Sequence, residues 1–89
     1  MTLDQTLHAL FTSTLPRRYT SPEGLALSYN PTSGLFRAGR IDHPPSATEI
    51  AAVRRAATHL NVSLSTTPVI RHMLAADGRT WYFAEWPAS

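Results

Sequence analysis

The chain has no cysteine and no lysine, only four glycines, and no apolar run longer than a few residues. Each absence removes a class of function. Without cysteine there are no disulfides, no thiolate metal sites and no thiol catalysis. Without lysine there is no Schiff-base chemistry, and nuclease sites that require a lysine are excluded. Short apolar runs leave no transmembrane helix and no signal-peptide core, so a cytoplasmic protein with no membrane partner is expected.

Charge of one sign is also scarce. The formal net charge is +2, with all the basic residues arginine. That is small for a protein dedicated to nucleic acid. Arginine in place of lysine has a bland explanation in a GC-rich genome, which also suits the abundant Ala, Pro, Thr and Leu and places the gene in a bacterium or phage. Its functional explanation is that guanidinium suits phosphate, carboxylate and aromatic partners. Catalytic and cofactor signatures are missing too. His8, His43, His59 and His72 include no pair at i, i+4, and no HExxH, GxSxG, P-loop or GxGxxG occurs. No enzyme activity, cofactor or metal site is therefore expected.

What is present reads as one small domain over residues 1–89. The clearest signals lie in residues 46–86. Pro44 and Pro45 bar a helix from entering from upstream, and Ser46 with Glu49 forms a capping box. Ile50, Val53, Ala57 and Leu60 make one apolar stripe, and Asn61 suits the left-handed position after it, with Val62 folding back on Ala57. Residues 69–75 and 79–86 then read as two strands around Asp77-Gly78. A two-residue turn and a three-residue loop with a glycine bulge are both compatible with that pair. They imply different cross-strand partners for Trp81 and Phe83.

The first half has a similar order. Thr2 and Gln5 form a capping box for a helix over residues 2–14, striped by Leu3, Leu7, Leu10 and Phe11 and stopped by Pro16. Residues 15–23 read as a polar connection. Leu25, Leu27 and Tyr29 alternate as a half-buried strand, residues 30–34 turn, and residues 35–41 return. The shared order could reflect an internal duplication or chance. The expected fold is α+β, ordered α-β-β-α-β-β, with a four-stranded antiparallel sheet and both helices on one face. Residues 62–64 are read either as an extension of the third strand or as a short edge strand.

The second hairpin departs from simple alternation. Trp81 and Phe83 fall on one face and Tyr82 and Trp86 on the other, while Ile70 and Leu74 oppose Val69 and Met73. Both faces thus carry large apolar groups, where a sheet covered on one side should alternate. Either another segment (the N-terminus, residues 15–23 or residues 87–89) covers the second face, or that face meets a partner. Aromatics, Met and Arg are the residue types enriched at interfaces. The leading expectation is a non-catalytic protein-interaction domain, accessory, regulatory or inhibitory. It acts as a homodimer, or on another protein, through the outer face of the second hairpin, with Arg71, Met73, Tyr82 and Trp86 as anchors.

Two alternatives stand beside it. A nucleic-acid-binding module would use Arg17, Arg18, Arg37, Arg40, Arg54 and Arg55, provided they converge on one aromatic-lined face. A small ribonuclease-like toxin would use Arg71, His72 and Tyr82 as electrophile, acid/base and orienting group. Consecutive residues on a strand face opposite ways, which counts against pairing Arg71 with His72.

Overall fold

The computed structural model describes residues 2–21 and 23–87. Within them the elements run α1 (Leu3–Phe11), β1 (Arg17–Thr20), β2 (Ala26–Asn30), β3 (Leu35–Ile41), α2 (Ala47–His59), β4 (Val69–Leu74) and β5 (Thr80–Trp86). The architecture is α+β. The sheet has five strands rather than the expected four, in the order β1-β2-β3-β5-β4, and every neighbouring pair is antiparallel. The two hairpins therefore join through β3 and β5 at the centre.

The additional strand is β1, which occupies the stretch expected to be a polar connection. It pairs Arg17 with Tyr29 and Tyr19 with Leu27. Its residues are exposed apart from half-buried Tyr19. An edge strand that hides one side chain has no period-two apolar pattern, so its backbone ladder leaves almost no trace in composition.

Both capping boxes form. Thr2 Oγ1 accepts from the Gln5 amide at 3.2 Å and the Gln5 side chain accepts from the Thr2 amide at 2.9 Å. Ser46 and Glu49 exchange the same pair of bonds at 3.1 and 2.9 Å. Helix α1 ends at Phe11, earlier than residue 14, where the Thr12 hydroxyl turns back onto the His8 carbonyl. Helix α2 ends as its sequence indicates. Asn61 takes φ +62°, and the amides of Asn61 and Val62 bond the carbonyls of Thr58 and Ala57. Residues 62–64 form no strand. Val62 and Leu64 pack against the core instead.

The β4–β5 turn uses three residues, 76–78, with Gly78 at φ +86°, and the Ala75 amide bonds the Arg79 carbonyl at 2.8 Å. Of the two readings of Asp77-Gly78 this is the glycine-bulge form. It sets Met73 opposite Trp81 and Arg71 opposite Phe83.

Strand register divides the sheet into two faces. One carries Leu27, Ala38 and Ala84 in one row and Phe36 and Trp86 in the next. These join Leu7 and Leu10 of α1 and Val53, Ala56 and Ala57 of α2 in one buried cluster. Both helices thus cover the same face, and among the described residues no helix lies over the other. Among the described residues no helix is long and apolar enough to cross a membrane.

Candidate interaction surface

The uncovered face is built from alternate residues of all five strands. One row runs Arg18, Ser28, Arg37, Glu85 and Val69; the next runs Ala26, Gly39, Phe83 and Arg71; a third carries Trp81 and Met73. A shallow groove of about 190 Å³ crosses it, lined by Arg18, Arg37, Gly39, Met73, Trp81 and Phe83.

Gly39 makes the floor of that groove. A Cβ there would lie 2.9 Å from the Phe83 Cβ and 3.0 Å from the Tyr82 carbonyl oxygen. The glycine lets β3 and β5 approach without a side chain between them. Beside it the Arg37 guanidinium lies over the Phe83 ring, 4.8 Å from its centroid. Glu85 is shared by two arginines: Arg37 Nε donates at 3.1 Å and Arg71 Nε lies 3.3 Å away. Phe83 and Glu85 are each only 9 % exposed although no helix covers them. The long arginine stems shield both.

This geometry separates the four expected anchors. Arg71 and Met73 stand on the open face, Met73 half exposed. Tyr82 and Trp86 do not, and their assignment to an outer contact surface is corrected here. Tyr82 faces the helix side beside His72, the two rings tilted by 39° with centroids 5.9 Å apart. Trp86 is 3 % exposed, packs 5.5 Å from the Phe36 ring and donates its indole N–H to the Ser65 carbonyl at 2.9 Å. The aromatics that do face outward are Trp81 and Phe83, with Arg37 and Glu85 beside them. One signal in the sequence pointed to them. Glu85 has the same strand parity as Trp81 and Phe83, and a carboxylate marks the side away from the core.

The six arginines of the nucleic-acid reading go to different surfaces. Arg18 and Arg37 are on the open face, whereas Arg17 and Arg40 are on the helix side. Arg40 bonds Glu49 through Nε at 2.6 Å and the Glu23 carbonyl at 2.7 Å. That bond to Glu49 raises the Arg40 pKa and holds the Glu49 carboxyl below the usual carboxylate range, helped by the Ser46 amide and opposed by burial. Arg54 donates to the Leu64 carbonyl at 3.3 Å, and Arg55 is an exposed residue of α2. In the ribonuclease-like set His72 and Tyr82 meet, while Arg71 sits on the opposite face against Glu85. Among the described residues no three His, Asp or Glu side chains gather as metal ligands would.

Two of the segments that could cover this face are otherwise engaged. Helix α1 lies on the helix side, and residues 17–20 form β1. Residues 88 and 89, and Pro22, lie outside the described residues.

At the far edge, β4 is exposed along its whole length. Val69, Ile70, Met73 and Leu74 are 45, 48, 52 and 72 % exposed. The helices stop short of this strand, so its apolar side chains meet solvent on both faces of the sheet.

No family model matches the chain, and neither a curated protein nor a solved structure matches it, so the geometry alone carries the functional reading.

Proposed function

We propose that this protein is a small non-catalytic interaction module that works through its C-terminal hairpin as a homodimer. The single observation that supports this is β4, a strand whose four large apolar side chains are about half exposed or more, on both faces of the sheet. Isolated exposed apolar residues are ordinary, but a contiguous group along one strand is a contact surface. Arg71 and Met73 keep the role of contact residues. Trp81 takes the place that Tyr82 and Trp86 had in the sequence reading.

The local electrostatics favour protein contact over a base-stacking platform. Arg37 covers the Phe83 ring, and Glu85 neutralises Arg37 and Arg71 in part. A nucleic-acid platform needs open aromatic faces flanked by unopposed cations.

Molar mass by light scattering over a dilution series, at low and high salt, tests the proposal. The expected result is a mass approaching twice 9.8 kDa as concentration rises, little affected by salt. Ile70→Glu with Leu74→Glu should restore the monomer. A protein that stays monomeric throughout, or gains mass only with a mixed-sequence oligonucleotide at low salt, would overturn it.

A further inference from the structure

We infer that the homodimer forms by edge-to-edge pairing of β4 with β4 of a second copy. The pairing is antiparallel with His72 opposite its twin, and it makes one continuous ten-stranded sheet. This rests on the homodimer reading above and specifies its geometry.

The sheet has two edges, and they are built differently. The β1 edge carries the adjacent cations Arg17 and Arg18, a device that blunts an edge against pairing. A proline stands before each edge strand, Pro16 and Pro68, so charge is what distinguishes them. The one permanent charge of β4, Arg71, is already ion-paired with Glu85 of its own chain.

Backbone register fixes which groups point outward. The Ala75–Arg79 bond makes that pair a hydrogen-bonded one, so by alternation Met73, Arg71 and Val69 spend their amides and carbonyls on β5. The N–H and C=O groups of Ile70, His72 and Leu74 then face the free edge. A twofold axis at His72 sets Ile70 opposite Leu74 of the second copy and Leu74 opposite its Ile70. It satisfies roughly six backbone hydrogen bonds. On the helix side the Ile–Leu pairs flank the two imidazoles. On the open face Arg71 meets Met73 of the second copy, so no arginine lies directly opposite another. The pattern is self-complementary, as an isologous interface requires.

The surface is short, placing the contact at the small end of specific interfaces, below about 1,200 Å². It is therefore a concentration-dependent dimer.

The test exploits the absence of native cysteine. Single-cysteine variants His72→Cys and Ser28→Cys are oxidised mildly and their masses compared, with light scattering of the wild type alongside. Pairing at β4 predicts a disulfide-linked dimer for His72→Cys and none for Ser28→Cys, which lies on the open face three strands away. A wild-type dimer that cross-links only through Ser28→Cys would overturn edge pairing and leave the homodimer reading standing, with the open face as the interface. A wild type that stays monomeric would overturn both.

Discussion

The indole N–H of Trp86 donates to the Ser65 carbonyl at 2.9 Å, tying the last strand to the loop that leads into β4. Trp86 is thereby a core residue that also positions the exposed strand. Its ring rests on Phe36, which in turn contacts Phe11 of α1.

Trp86→Ala should therefore act on stability before it acts on association. Losing a buried tryptophan costs about 3–5 kcal/mol, a large share of the stability a small domain has. Trp86→Phe keeps an aromatic ring and removes the donor, so it should cost less, on the order of 1–2 kcal/mol. Urea titrations followed by circular dichroism would rank the two. Equal, negligible shifts would mean that the indole is not buried as described.

Gly39 predicts a packing defect at the centre of the sheet. In Gly39→Ala the new methyl meets the Phe83 Cβ and the Tyr82 carbonyl, both on the neighbouring strand, and neither can swing aside. The expected cost is about 1–3 kcal/mol, read as a lower urea midpoint with an unchanged slope. The groove floor should rise at the same time, so an amide spectrum would show changes centred on β3 and β5.

Glu49 predicts an acid-sensitive component of stability. Its carboxyl is held below the ordinary range, chiefly by the Arg40 hydrogen bond. A depressed carboxylate stabilises the fold above its unfolded pKa, about 4.3 for glutamate, and that contribution disappears as pH falls through the folded value. Thermal unfolding should thus show a loss between roughly pH 5 and pH 3 that is smaller in Glu49→Gln. Glutamine keeps an acceptor for the Ser46 amide, so the comparison separates the ion pair from the helix cap. An identical acid limb in both proteins would assign the loss to other carboxylates.

Much of the fold was legible because its signals are local. The capping boxes at Thr2 and Ser46, the Asn61 ending of α2 and the alternation of Leu27 and Tyr29 depend on residues a few positions apart. Such short-range chemistry is written directly in order and spacing. The two-sided apolar character of residues 69–86 was visible as well. Which aromatic went to which face was not, since alternation defines two sets without saying which one the helices cover.

The sequence by itself thus determined two capped helices and two apolar hairpins, with no thiol or lysine side chain to react. The tertiary structure decided three things beyond that. It added β1, whose strand rests on backbone pairing with β2 rather than on buried side chains. It turned Trp86 inward and left Trp81, Phe83 and the Arg37–Glu85–Arg71 group outward, because the helices lie on only one face. It also put β4 at an edge beyond their reach. Sheet order and helix placement are long-range outcomes of burying one apolar face, and no stretch of sequence encodes them alone.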